Sequence, residues 1–123
     1  DARRISIMTK FLIYHNPRCS KSRQALKIIQ DNNWKYEIRL YLEEKLTPLE
    51  LADILNKLEM VPRDLLRKSE DDYKINNLKC LSHSDQDIIN IMIKFPKLIE
   101  RPIIITKNKA IIGRPPENIH HLL

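Results

Sequence analysis

The feature that most restricts the fold of this chain is an early change of hydrophobic period. Phe11 to His15 is a short, apolar, β-prone run, Asn16-Pro17 breaks it, and Ser20 to Asp31 then places apolar residues at Ala25, Leu26, Ile28 and Ile29. Spacings of three and four mark one face of a helix, and the proline marks the loop before it. From Lys35 to Leu42 the period returns to two, with Tyr36, Ile38, Leu40 and Leu42 in alternation. Two strands joined through a single helix lie parallel, because the crossover returns the chain to the end it started from. The chain therefore opens with a βαβ unit.

Thr47-Pro48-Leu49-Glu50 follows as a capping box with proline at the first helical position, and it starts a helix running to about Lys57. A second helical piece is expected from Pro62 through Leu65-Leu66-Arg67. A third follows Ser84, with Ile88, Ile89, Ile91, Met92 and Ile93 as its apolar residues. Ile103-Ile104-Ile105 and Ala110-Ile111-Ile112 flank Lys107-Asn108-Lys109, which reads as a β-hairpin with Asn108 suited to a left-handed conformation. Gly113, the only glycine, precedes Arg114-Pro115-Pro116, and the proline pair is placed to start a last helix through Ile119 and Leu122. The order β-α-β, helices, β-β-α is that of an α/β, thioredoxin-like fold with a helical insert between the N-terminal βαβ unit and the C-terminal ββα unit. Its 123 residues suit one domain. Residues 11–123 are assigned to that single domain, and residues 1–10 to an appended remnant and the native start at Met8.

Charge and cysteine usage narrow the function classes. Lysine and arginine number 22 against 16 acidic residues, a formal charge of +6 that favours anionic partners. The basic residues are scattered among acidic ones and aromatics are only 6%, which argues against nucleic acid. A small oxyanion suits the same charge. Cys19 and Cys80 stand far apart, with neither a disulfide framework nor a zinc-ligand spacing, and a reducing cytoplasm is the expected compartment. Phe11-Leu12-Ile13-Tyr14 is too short for a signal-peptide core, and no run approaches the roughly 20 apolar residues that cross a bilayer. No membrane partner and no bound cofactor or metal is expected.

The chemistry concentrates at Cys19. It lies between the first strand and the first helix, where unpaired amides and the positive end of the helix dipole favour a thiolate. His15, Lys21 and Arg23 add donors or positive charge nearby, and the Ser22 hydroxyl or amide is within reach of the sulfur. Ser22 also stands where a CxxC motif would carry its second cysteine, so no local disulfide can form. Reduced Cys19 must then be regenerated from outside, by a small thiol or by Cys80. Arg67, Arg101 and Arg114 occupy expected element boundaries: the end of a short helix, the start of a strand and the end of the last strand. In a thioredoxin-like sheet such ends can converge on the Cys19 loop and bind a tetrahedral oxyanion through forked donors. Arg18, Arg23, Arg39 and Arg63 are read as solvated surface groups. Pro102 is a candidate cis proline facing the active cysteine. His83, His120 and His121 have no carboxylate or cysteine at metal spacing.

Tyr14-His15-Asn16-Pro17-Arg18-Cys19-Ser20-Lys21-Ser22-Arg23 resembles the glutaredoxin-coupled arsenate reductase family. The likeness continues through Tyr41-Leu42-Glu43, Leu65-Leu66-Arg67-Lys68, Pro96 to Ile103 and Ile112-Gly113-Arg114-Pro115. The resemblance implies that Cys19 forms a covalent adduct with arsenate, with His15 and Ser22 tuning its sulfur and Arg67, Arg101 and Arg114 binding the oxyanion. It further implies that glutathione, as co-substrate, attacks the adduct, arsenite leaves, and glutaredoxin reduces the glutathionylated Cys19. Ser20 replaces a glycine of the best-known members, and the chain stops close after the last expected helix, as in the short subgroup. A glutathione-dependent thiol reductase and an Spx-like regulator that binds RNA polymerase are the alternative functions on this fold.

Overall fold

The computed structural model describes residues 10–122. Of the residues 1–10 assigned to the remnant and the start at Met8, residues 1–9 lie outside the described residues, and Lys10 is the first residue of the opening strand. The described chain falls into two compact units: one runs to Tyr41 and resumes at Arg101, and the other spans Leu42–Glu100.

In the first unit the change of period becomes β1 (Lys10–Tyr14), α1 (Ser20–Asp31) and β2 (Lys35–Arg39), completed by β3 (Ile103–Ile105) and β4 (Ala110–Ile112). Among the described residues these make a four-stranded sheet in the order β2-β1-β3-β4. β1 and β2 are parallel with Phe11 opposite Tyr36, β3 is antiparallel to β1 with Ile104 opposite Ile13, and β4 is antiparallel to β3 with Ile111 opposite Ile104. This is the thioredoxin-like arrangement, with the second unit inserted in sequence between its two halves. β2 is shorter than its alternation suggests. It ends where β1 ends, because His15 N donates to Arg39 O (3.0 Å) and Tyr41 N then turns back to the same carbonyl (3.1 Å). As an edge strand it leaves Ile38 43% exposed.

The core of this unit joins Phe11 and Ile13 of β1, Ala25 and Ile29 of α1, Ile104 of β3, and Ile119 and Leu122 near the C-terminus. Trp34 packs against it and stacks at a tilt on Phe11, with ring centroids 5.2 Å apart. The last helix, Pro116–Leu122, is of the 3-10 type. Its buried residues are Pro116, Ile119 and Leu122, a spacing of three that keeps them on one side of a helix with three residues per turn. The hairpin turn closes through Thr106 N donating to Lys109 O at 2.8 Å. Asn108 is not left-handed, contrary to expectation, since the turn closes without a positive φ there. The left-handed residues among those described are Asn33, Glu59 and Asn77. With one glycine in the chain these conformations fall to other residues, and asparagine tolerates them best.

The second unit consists of α2 (Pro48–Leu58), a 3-10 turn (Pro62–Leu65), α3 (Asp71–Ile75), α4 (Asp85–Lys94) and a second 3-10 turn (Pro96–Leu98). Thr47 caps α2, its Oγ accepting from Glu50 N at 3.1 Å. Ser84 caps α4 with a reciprocal box, Ser84 Oγ accepting from Asp87 N and Asp87 Oδ2 accepting from Ser84 N. α2 buries Leu51, Ile54 and Leu55, and α4 buries Ile88, Ile89 and Met92. The helical piece expected from Pro62 stops at Leu65. Leu66 instead pairs with Ile99 in an antiparallel bridge, and Arg67 N donates to Leu98 O at 2.7 Å. That long-range pairing takes the backbone groups that another helical turn would have used, so Leu66 is extended and Arg67 lies outside the helical piece. α3, five residues long with no buried side chain, carries too few turns to show a period.

Gly113 is needed for close approach. A Cβ there would lie 2.8 Å from Pro102 Cγ and 3.2 Å from Ile104 Cδ1, while the Gly113 amide donates to Pro102 O at 2.8 Å. Gly113→Ala should destabilise the protein by about 1–3 kcal/mol, as overpacking does. Urea denaturation measures this, and a midpoint equal to that of the parent would refute the close-packing account.

Candidate active site

The Cys19 loop is built by its own backbone. After β1, Asn16-Pro17 turns the chain so that Cys19 N donates to Asn16 O at 3.0 Å, and the Asn16 side-chain oxygen accepts from Arg18 N at 3.0 Å. Asparagine suits this place because its side chain can satisfy an amide two residues on. Cys19 is the N-cap of α1 in extended conformation, with 8% of its surface open. The first-turn amides of α1 therefore face the sulfur.

Burial pushes the Cys19 thiol up, but the Ser22 amide, the Arg101 and Arg114 side chains and the Lys21 amide outweigh it and bring the pKa down to about 7. Arg114 Nη2 lies 3.9 Å from Sγ, and Arg114 Nε donates to Arg101 O at 3.0 Å. One arginine thus holds the backbone of the other while both reach the sulfur. The Arg101-Pro102 peptide is cis, the isomer for which Pro102 was a candidate, and so is Arg114-Pro115.

Ser22 is fully buried and works in two directions. Its amide bonds the sulfur, while its Oγ accepts from Asn16 N at 3.1 Å and shares a 2.6 Å hydrogen bond with His15 Nδ1. Desolvation, with the Arg23 charge in second place, lowers the His15 pKa and favours the neutral ring. With Ser22 Oγ already accepting one amide, its own proton is best directed at Nδ1, which leaves the ring proton on Nε2. The His15 side chain thus bonds the Ser22 hydroxyl, and its link to Cys19 runs through Ser22.

The first unit brings together His15, Cys19, Ser22, Arg101 and Arg114. Arg67 is carried by the second unit, where its Nη1 donates to Glu100 Oε1 at 2.7 Å and its Nε lies 3.5 Å from Glu70 Oε1. Cys80, also in that unit, is a free thiol with its Sγ 3.0 Å from Ser82 Oγ. Two arginines read as solvated are engaged: Arg23 Nη1 donates to Pro17 O at 2.9 Å, and Arg63 donates to Leu78 O (2.6 Å) and Cys80 O (3.1 Å). The sequence marks Asn16 only as a strand break and Arg23 only as a nearby charge or surface group, and the structure makes both of them loop-forming residues. The Asn-Pro turn signal and the four-residue step from Cys19 to Arg23 were the available clues. Among the described residues no group of three His, Cys, Asp or Glu side chains is arranged to hold a metal, and no helix is long and apolar enough to cross a membrane.

Sheet order, helical insert and a helix-capping cysteine under two guanidiniums define a thioredoxin-like protein with a single-cysteine centre. Residues 14–122 match the ArsC family. The chain is 47% identical over 114 residues to the uncharacterised protein YfgD of Escherichia coli, covering 91% of this chain and 96% of that one. It is 39% identical to an arsenate reductase of Haemophilus influenzae, covering 91% of this chain and 97% of the relative. The solved arsenate reductase of Vibrio cholerae superposes with a TM-score of 0.91 at 36% identity, covering 94% of this chain and 98% of that one. The chain belongs to the ArsC family.

The lowered thiol pKa gives a direct expectation. Only the thiolate is alkylated, and its fraction rises with pH, so a depressed pKa moves that rise to lower pH. In a Cys80→Ser background, iodoacetamide should label Cys19 with a half-maximal rate near pH 7. An ordinary thiol would reach half-maximum near about 8.5. A profile centred at or above the ordinary value would refute the assigned environment.

Proposed function

We propose that this protein reduces arsenate to arsenite through a covalent adduct on Cys19, with glutathione as co-substrate and glutaredoxin restoring the thiol. The observation that carries the reading is the Cys19 sulfur, lowered to a pKa of about 7 and faced by the Arg101 and Arg114 side chains and the Ser22 and Lys21 amides. Such donors favour the thiolate and suit a tetrahedral oxyanion brought against it. The arsenate reductases of Haemophilus influenzae and Vibrio cholerae, similar over nearly the whole chain, support the same substrate.

In this scheme the Cys19 thiolate attacks arsenic, an S–As bond forms, and one oxygen leaves as water after protonation. Arg101 and Arg114 offset the charge of the arriving anion. The glutathione thiolate then attacks the Cys19 sulfur and the S–As electron pair stays on arsenic. Arsenic(V) becomes arsenic(III), and two thiols become one mixed disulfide. Exchange with glutaredoxin frees Cys19. Serine at position 22 agrees with an external reductant, since no cysteine lies within the motif to resolve the intermediate. Neutral His15 holds Ser22 in place, and Arg67 is assigned as a further oxyanion donor. A glutathione-dependent reaction of this kind suits a reducing cytoplasm.

Purified protein supplied with arsenate, glutathione and glutaredoxin should release arsenite, and Cys19→Ser should reduce this to background. Arg101→Ala should raise the KM for arsenate roughly tenfold to a hundredfold, the loss of one charge-assisted bond of about 1.5–3 kcal/mol. Arg67→Ala should act in the same direction. No arsenite under these conditions, with ready turnover of a glutathione mixed disulfide, would reassign the protein as a general thiol reductase.

A further inference from the structure

We propose that Arg23 is a positioning residue for Cys19, gripping the loop on both sides of the nucleophile. Its backbone N–H donates to Cys19 O at 3.0 Å, forming the first hydrogen bond of α1. Its guanidinium reaches back over the turn, where Nη1 donates to Pro17 O at 2.9 Å. A single residue therefore ties the carbonyl two positions before Cys19 and the carbonyl of Cys19 itself to one turn of helix. Pro17 supplies no amide, so its carbonyl is its only backbone anchor.

The grip matters because the sulfur is held by directed groups. The Ser22 and Lys21 amides bond Sγ only if Cys19 stays in its extended N-cap conformation, and the hydrogen bond from Cys19 N to Asn16 O sets where that residue starts. Hydrogen bonds weaken steeply as they bend or lengthen, so a loosened turn leaves the thiolate less well held. The Arg23 charge also adds, after burial, to the lowering of the His15 pKa. The other charged residues around this loop are Arg18 and Lys21 on the same segment, Arg39 on β2, whose carbonyl accepts from His15 N, and Arg101 and Arg114 at the sulfur. Arg23 reaches the backbone between Asn16 and Cys19 directly, through the bond from its guanidinium to Pro17 O.

The inference rests on Cys19 being the reactive group, and its test needs no arsenate, so it can fail independently of the proposed substrate. Arg23→Ala and Arg23→Lys would be made in a Cys80→Ser background and their alkylation by iodoacetamide followed against pH. Hydrogen exchange of the Cys19 amide and the NMR titration of His15 complete the comparison. In the alanine variant the alkylation midpoint should move upward, with the rate at pH 7 falling roughly two- to fivefold, the loss of thiolate that a rise of a half to one pKa unit produces from a midpoint near 7. The Cys19 amide should exchange several-fold faster, the His15 midpoint should rise, and the thermal midpoint should hardly move because Arg23 is exposed. Lysine, which keeps a charge and a donor, should restore the His15 midpoint and part of the alkylation rate. An alanine variant with the parent's alkylation profile and Cys19 exchange rate would overturn the proposal. So would an equal loss in both variants together with a collapsed melting transition, which would make Arg23 a residue of general stability.

Discussion

The site depends on the sulfur of Cys19 meeting the free amides at the start of α1. An exposed helix N-terminus leaves its first N–H groups without intrahelical partners, and here the Ser22 and Lys21 amides turn that surplus onto a thiol. Burial opposes the charge that results. The arrangement is sustained because the sulfur is not left to the amides alone: two guanidiniums share the charge, and charge-assisted bonds in a buried setting outweigh the desolvation that burial imposes.

Ser22 links this contact to the rest of the loop. Its amide serves the sulfur and its hydroxyl binds Asn16 N and His15 Nδ1, so the end of β1, the turn and the first turn of α1 share one buried hydroxyl. The hairpin contributes from the other side. β3 pairs with β1, β4 pairs with β3, and the residues just outside those strands, Arg101 and Arg114, come to the same sulfur. Gly113 is the small residue that lets the chain pass Pro102 closely enough for that.

Much of this was legible in the sequence. The helix Ser20–Asp31, the hairpin strands, the Thr47 cap and the start of a helix after Ser84 are legible because periodicity and capping are carried by neighbouring residues, whereas the reciprocal box at Ser84 emerges only in the structure. The reading failed where a distant segment intervened. Leu66 and Arg67 looked helical beside Leu65, but the bridge to Ile99 claimed their backbone. β2 looked longer than it is, because a strand lasts only as long as its partner. Arg23 and Arg63 looked like solvated cations, since nothing in a sequence tells which carbonyl a long side chain will find.

By itself the sequence determined that Cys19 stands at the start of a helix, after an Asn-Pro turn, with serine where a partnering cysteine would sit. Those are properties of adjacent residues, and they are enough to make the position reactive in kind. Only the tertiary structure decided what touches the sulfur: the amides and not the hydroxyl of Ser22, a His15 ring directed at that hydroxyl, and guanidiniums from Arg101 and Arg114. The reason is that hydrogen bonds are set by distance and direction, and the strand pairing that brings Arg101 and Arg114 to Cys19 joins segments far apart along the chain.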